Sequence, residues 1–166
     1  MVELATNLEF LTIGSTDYLR FDPEPLSQNR PRYLYLNSVS ISSDGLIAFI
    51  NQSKESIRYI ELRHIKLDSG TWQHVLLELC RLPHLLDFAI KSSGYSSTGS
   101  SSHPAPGLLP PIHHPEDIET YNDLDFYTLG NLQRQANTNR RAAGFEPVSN
   151  DSYSYINRPS LVSAGS

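Results

Sequence analysis

The sequence predicts an α/β fold in which about four parallel strands form one sheet and the helices cover one side of it. Three observations predict this fold. A pair of apolar residues recurs every 26 positions, helix signals lie between successive copies, and the composition changes near residue 92. Side chains two positions apart in a strand share a face, and parallel strands need a crossover for which about 26 residues leave room for a helix.

The recurrent pair defines the strands and their order. Its copies are Leu8 and Phe10, Leu34 and Leu36, Ile60 and Leu62, and Leu86 and Phe88. We therefore expect sequential parallel strands at residues 8–13, 34–39, 59–65 and 85–90. The fullest copy, Ile57-x-x-Ile60-x-Leu62-x-x-Ile65-x-Leu67, has the spacing of a leucine-rich repeat without its usual Asn. A short leucine-rich-repeat-like solenoid is the predicted fold, and an ordinary small α/β domain is the alternative.

Two of the three connections between these strands carry helix signals. N-capping residues at 42–44 precede an apolar stripe at 46, 49 and 50, and Asp68-Ser69-Gly70 precedes a stripe at 72, 75, 76 and 79. We expect helices near 43–53 and 70–82, on one side of the sheet. The connection from Gly14 to Pro31 contains Pro23 and Pro25, and should be a loop with at most a short helix.

The composition divides the chain into four parts. Residues 1–91 hold the repeats, and residues 92–115 are rich in serine and proline, which favours a disordered linker. Residues 116–144 should contain a helix within 116–141, opened by Pro115-Glu116-Asp117 and docked as a cap over the last strand. Residues 145–166 should be a disordered tail.

The repeat region resembles a known family. Ser43-Asp44-Gly45-Leu46, then residues 57–62 (IRYIEL), then Ser69-Gly70-Thr71-Trp72 are similar to the leucine-rich region of fungal F-box-like proteins, over about residues 32–90. The resemblance implies a substrate-recognition part related to ubiquitin-ligase receptors. The family's N-terminal F-box has no room before Leu8, so the resemblance is confined to the repeats. A truncated relative and a stand-alone repeat fragment both fit it.

Charge and composition exclude several classes of function. The 166-residue chain has a formal net charge of −5 and a pI near 5.6, which argues against nucleic-acid binding. A single cysteine, Cys80, excludes a disulfide framework within the chain and a cysteine-based zinc site. The N-terminus does not read as a secretory signal, and no apolar run approaches the length of a membrane span. We expect an intracellular monomer, cytoplasmic or nuclear, that contacts no membrane.

The sequence offers no convincing catalytic, metal or cofactor site. His113 and His114 with Glu116 form the only cluster of ligand residues, in a segment that reads as a solvated linker. Cys80 precedes His84 by four positions but lies among leucines, which is typical of an inert buried thiol. Asp123 and Asp125 read as a solvated helix face. Neither a nucleotide-binding glycine motif nor a nucleophile motif is present.

The strongest functional signal is the face of the sheet opposite the predicted core. With 26-residue steps, one outward row contains Glu9, Tyr35, Glu61 and Asp87, and the row before it contains Asn7, Tyr33, Tyr59 and Leu85. Tyrosine is enriched at interfaces because it combines a large apolar body with a polar tip. Tyr33, Tyr35, Tyr59, Glu61 and Asp87 are therefore the candidate protein-binding residues, and an idle sheet of high strand propensity is the alternative reading.

Three functions remain open at this point. The first is a non-catalytic module whose acidic, aromatic face binds a basic or neutral segment of an unidentified protein partner. The second is a small enzyme with an unrecognised site, for which a deep pocket around Glu61, Arg63 and His64 would argue. The third is a gene-model fragment without independent function.

Overall fold

A computed structural model describes residues 9–20, 30–96, 118, 120 and 122–148 of the chain. Its centre is one sheet with strand order β1-β2-β3-β4 in which every pairing is parallel. The strands are β1 (Phe10–Arg20), β2 (Tyr33–Ser42), β3 (Tyr59–Ser69) and β4 (Asp87–Lys91), and a short β5 (Gly94–Tyr95) extends the sheet beyond β4 by pairing with β3. The predicted sequential parallel order is confirmed.

The helices are α1 (Ser43–Gln52), α2 (Trp72–Cys80) and α3 (Asp123–Ala142). Side-chain oxygens cap the N-termini of the first two: Ser42 Oγ accepts from the Gly45 N–H, and Thr71 Oγ1 accepts from the His74 N–H. The apolar stripes of all three helices join the inward residues of the strands in one continuous core. Both crossover helices therefore lie on one side of the sheet, as the sequence predicts.

Strands β2, β3 and β4 begin with the same pair of backbone hydrogen bonds. The carbonyl of Glu9 accepts from the N–H groups of Arg32 and Tyr33, at 3.2 and 2.8 Å. The carbonyl of Arg32 accepts in the same way from Arg58 and Tyr59, at 2.8 and 3.1 Å. A third copy joins the carbonyl of Arg58 to the N–H groups of residues 86 and 87. The strand entries are thus geometrically equivalent, although the lengths of chain between them are unequal.

A second equivalent position lies further along the strands. Ser38, His64 and Ser92 have φ values of 56°, 51° and 48°, the left-handed region that non-glycine residues rarely adopt. The pairing of Asn37 with Arg63, and of Arg63 with Lys91, makes these three residues neighbours in one column. Strands β2 and β3 and the chain between β4 and β5 therefore bend at the same level, and inward-facing residues follow the bend.

The predicted first strand is wrong in its register. Leu8 and Phe10 were expected to face the core, but Leu11 and Ile13 face it instead, at 4% and 2% exposure, and Phe10 is 54% exposed. Leu11 pairs with Leu34. The number of residues from a position in β1 to its partner in β2 is therefore smaller than the predicted repeat, and the difference is an odd number. Because side chains alternate with a period of two, this odd shift exchanges the two faces of the strand. Leu8 lies outside the described residues.

The predicted fourth strand is displaced along the sequence. Phe88 and Ile90 are the inward pair opposite Ile60 and Leu62, where the repeat predicted Leu86 and Phe88. The number of residues from a position in β3 to its partner in β4 is therefore larger than the predicted repeat by one inward–outward pair. An even shift keeps the predicted face but moves every cross-strand neighbour by one pair. Leu85, which was placed on the outward face, is instead 1% exposed and lies in the core before the strand begins.

The first connection and the predicted linker are both partly sheet. β1 continues through Arg20 after a register shift between Gly14 and Leu19, where a loop was expected, and residues 21–29 lie outside the described residues. Residues 92–96, assigned to the linker, adjoin or belong to the sheet: Ser93 is fully buried, and its Oγ accepts from the Ile65 N–H. The serine-rich composition predicted disorder. Composition alone does not reveal that a serine hydroxyl is buried and hydrogen-bonded to a backbone group distant in sequence. The rest of the predicted linker, residues 97–115, lies outside the described residues.

The C-terminal helix begins later than the sequence suggested. Its N-cap is Asn122 rather than a residue near Pro115, and buried Ile118 forms an isolated parallel bridge with Ser93 ahead of the helix. The first residues of the predicted tail are also held, because the side-chain amide of Asn137 bonds both the N–H and the carbonyl of Val148. Residues 149–166 lie outside the described residues.

α3 packs beside α2 and runs parallel to it. Near the start of both helices, Asp125 Oδ1 accepts from the Gln73 N–H at 2.8 Å. Beyond the C-terminus of α2, the Asn139 amide donates to the carbonyls of Leu82 and Leu85. α3 therefore extends the helical layer by one further member, as well as contacting β4 as the predicted cap would.

Candidate functional site

The open face of the sheet carries a stack of aromatic rings. Phe10, Tyr33 and Tyr59 are cross-strand neighbours at the start of β1, β2 and β3, and Asp87 continues the same row on β4. The rings of Phe10 and Tyr33 stack at 4.6 Å, and those of Tyr33 and Tyr59 at 4.3 Å with 11° between their planes. We call these four residues the aromatic row. The ring spacings approach the strand spacing of about 4.7–4.9 Å, so the sheet itself aligns the rings.

A second row lies beside the aromatic row on the same face. It consists of Thr12, Tyr35, Glu61 and Ala89. Beyond it, Arg63 and Lys91 are cross-strand neighbours, and Arg63 Nε donates to Glu61 Oε1 in an ion pair. The face is therefore acidic only at the level of the first two rows, and it becomes basic toward the bend of the strands.

An open depression of about 380 Å³ lies over these two rows. It is lined by the residues of both rows and by the inward-facing residues that lie between them along the strands. Tyr33 stands at its centre and is 39% exposed. Partial burial, followed by the neighbouring Tyr59, raises the pKa of the Tyr33 hydroxyl, so it remains a neutral hydrogen-bonding group at physiological pH.

The predicted site residues are brought together, with one change of position. The pairing of Tyr33 with Tyr59 and that of Tyr35 with Glu61 were both predicted, and both are present. Asp87 was expected beside Glu61 but lies beside Tyr59 instead, because the last step of the repeat is longer than the one before it. Glu9 was expected in the row of Tyr35, but it precedes β1.

Three outward-facing residues of the depression were missed by reasoning from the sequence. Phe10 was assigned to the core, and Thr12 and Ala89 were assigned no role, because the repeat length was assumed to be constant. The alternation of Leu11 and Ile13, which fits the inward pattern as well as Leu8 and Phe10 do, is the signal that could have identified Phe10.

A second cluster of titratable groups is buried between the sheet and α3. Asp125 is fully buried, and its Oδ2 accepts from the hydroxyls of Tyr95 and Thr120, at 2.9 and 2.6 Å. The Tyr95 oxygen in turn accepts from the Trp72 N–H, at the start of α2. The expectation that Asp125 belongs to a solvated helix face is wrong, because its side chain bonds donors from α2, β5 and the segment before α3.

This buried cluster links α2, β5 and α3 through hydrogen bonds within the protein. Both oxygens of Asp125 are engaged by protein donors, and the cluster lies apart from the residues that line the depression on the open face. Burial raises the pKa of the Asp125 carboxyl against three hydrogen bonds that lower it, and burial likewise raises the pKa of Tyr95. The cluster fixes α3 against the N-terminus of α2, because Asp125 Oδ1 accepts from the Gln73 N–H there.

The raised pKa of Asp125 predicts how stability depends on pH. The folded chain retains this proton to a higher pH than the unfolded chain, whose carboxyl titrates near 3.8. The contribution of Asp125 to the free energy of unfolding is therefore fully present below that value, and it declines as the pH rises through the folded pKa. We expect the wild-type advantage over Asp125→Asn, measured by urea unfolding from acidic to neutral pH, to decrease with pH. A difference that increases with pH would contradict this direction.

The described residues do not assemble a metal site or a thiol nucleophile. They contain no group of three or more His, Cys, Asp or Glu side chains that could hold a metal ion, and His113 and His114 lie outside them. Burial raises the pKa of the Cys80 thiol, which favours its unreactive neutral form. His84, the histidine four positions after Cys80, has its Nε2 3.9 Å from Oε2 of Glu55.

None of the described helices combines the length and apolar character needed to cross a membrane.

Comparisons with protein families, with characterised proteins and with solved structures found no match to this chain.

Proposed function

We propose that the chain is a non-catalytic protein-interaction module that binds its partner through the aromatic row and the second row. The observation that carries this proposal is the continuous ring stack of Phe10, Tyr33 and Tyr59, which leaves large apolar side chains exposed over a depression on the side of the sheet opposite the helices. Exposed aromatic side chains clustered in a patch are typical of interaction sites rather than of idle surface.

The same proposal includes the kind of fold. We infer a short leucine-rich-repeat-like solenoid, supported by the equivalent strand entries and by the column of left-handed residues at the bend. In such repeats a polar side chain follows the strand at a fixed position. Ser93 occupies that position in the repeat that follows the repeat of Ile65. Its buried hydroxyl accepts from the Ile65 N–H at 3.1 Å. Open sheet faces are the common binding surfaces of solenoids.

The residues that line the depression favour an interaction module over an enzyme. The depression lies over Tyr33, Tyr59 and Glu61, and its described lining includes neither Arg63 nor His64. An enzyme site is expected to be a concave pocket in which titratable groups converge. The resemblance to F-box-like proteins extends the proposal to recognition of a substrate for ubiquitin ligation, which recovery of the ligase adaptor together with the partner would support.

The proposal is tested by removing two rings of the stack. We expect Tyr33→Ala combined with Tyr59→Ala to weaken partner binding about thirtyfold or more, because truncating a central aromatic anchor costs about 2 kcal/mol or more. The measurement is affinity purification of the tagged chain from its native cells with quantitative mass spectrometry. Tyr33 is a target because it is the central ring of the stack.

A matched control separates binding from folding. Tyr127→Ala removes a tyrosine that is 67% exposed on α3, away from the sheet face, and should leave partner recovery unchanged. The fluorescence of buried Trp72 reports whether each variant is folded. A folded double variant that retains every partner would show that the binding surface lies elsewhere.

A further inference from the structure

The charge lining the depression has one sign. Among the described residues that line it, only Asp87 and Glu61 are charged. Arg63 lies outside the lining and is ion-paired with Glu61, so two carboxylates face a single neighbouring guanidinium and the end keeps a net negative charge. Both carboxylates lie at the β3–β4 end, whereas the β1–β2 end is formed by Phe10, Tyr33 and other uncharged residues. A ligand that spans the depression therefore meets an apolar aromatic end and an acidic end.

The acidic end has space for a planar cation. Ala89 is the cross-strand neighbour of Glu61, and Asp87 is the cross-strand neighbour of Tyr59, so the two carboxylates lie on a diagonal of the sheet. Diagonal neighbours are about 7–8 Å apart, and Ala89, which lines the depression beside them, carries only a methyl group. Asp87 Oδ1 accepts from the Phe88 N–H at 2.8 Å, which orients that carboxylate.

We propose that the depression binds an extended segment of a partner protein that places an arginine side chain between Asp87 and Glu61. This inference rests on the proposed function, because it assigns the ligand chemistry of the same face. A guanidinium group offers a fork of donors to two carboxylates and stacks on an aromatic ring, here that of Tyr59. The apolar part of the segment lies against Tyr33 and Phe10. Lysine, a compact and strongly hydrated charge, satisfies this geometry less well.

The test uses two small probes that differ only in charge. The full chain, labelled with ¹⁵N, is titrated with N-acetyl-arginine methylamide and with the neutral isostere N-acetyl-citrulline methylamide. We expect arginine to shift the amide resonances of Glu61, Asp87 and Ala89, and to bind about tenfold more tightly than citrulline. Asp87→Asn should reduce arginine binding to the level of citrulline. The control Asp44→Asn, which removes a highly exposed carboxylate on α1, should leave arginine binding unchanged.

Several outcomes would overturn the inference. Equal affinity of wild type for the two probes would exclude recognition of the cation, as would arginine-induced shifts confined to residues outside the sheet face. Resonances of the face that change with protein concentration alone would identify a second copy of the chain as the occupant. The proposed function fails by a different result, since it requires that the Tyr33 and Tyr59 double variant lose the native partner.

Discussion

Replacement of Asp125 by alanine should destabilise the chain by about 3–5 kcal/mol. The substitution removes a fully buried acceptor and leaves the buried Thr120 hydroxyl and the half-buried Gln73 N–H and Tyr95 hydroxyl without their partner. Each buried donor left unsatisfied costs about 1–3 kcal/mol. The total is a large fraction of the roughly 5–15 kcal/mol available to a typical domain, so α3 should separate from α2 at lower denaturant concentration.

The measurement is urea unfolding followed by the emission of Trp72, whose indole N–H donates to the Gly94 carbonyl at 2.7 Å beside the cluster. Asp123→Ala is the matched control, because Asp123 is an exposed aspartate in the same first turn of α3. Its loss removes only a favourable interaction with the helix dipole, about 0.3–1 kcal/mol. Equal destabilisation by the two substitutions would show that the buried hydrogen bonds of Asp125 contribute no more to stability than an exposed charge does.

Gly70→Ala should destabilise the chain by about 2–5 kcal/mol, from two causes. Gly70 joins β3 to α2 with φ at +79°, where an added side chain costs about 1–2 kcal/mol. A Cβ at this position would also lie 2.6 Å from the Cβ of buried Ser43, at the start of α1, and still closer to its hydroxyl. Overpacking of this kind costs about 1–3 kcal/mol. Thermal and urea unfolding of the variant measure the sum.

Two further variants separate the causes. Gly144→Ala places a side chain at φ +84°, where none of the described atoms lies within 4 Å of the new Cβ, so it should show the backbone cost alone. Adding Ser43→Gly to Gly70→Ala should recover the packing part but not the backbone part. The explanation would be wrong if Gly70→Ala and Gly144→Ala had the same effect, since the contact with Ser43 would then contribute nothing.

Local pattern was sufficient for most of the secondary structure. The apolar stripes of α1 and α2 and their capping residues predicted both helices within a few residues, because a helix is specified by contacts within one or two turns. The step from β2 to β3 equals the predicted repeat, so the pairs Tyr33 with Tyr59 and Tyr35 with Glu61 were predicted correctly. These pairs form the centre of the candidate binding face.

The residues that were misplaced depend on distant partners. Two inward registers were equally apolar for β1, and only the pairing of Leu11 with Leu34 selects between them and exposes Phe10. Ser93 and Asp125 are polar residues in polar stretches, so composition predicted solvent exposure for both. Their burial is possible because hydrogen-bond donors distant in sequence, the N–H groups of Ile65 and Gln73, meet them in the fold.

The sequence by itself thus determined helices α1 and α2, the sequential parallel order of the four main strands and the face that carries the tyrosines, since alternation and helical periodicity are local properties. Only the tertiary structure decided that the steps between strands are unequal, the first shorter and the last longer than the middle one. Those steps place Asp87 beside Tyr59 and Ala89 beside Glu61, and they give the candidate binding face its acidic end. The physical reason is that register is set by cross-strand hydrogen bonds and core packing, neither of which is encoded within one repeat.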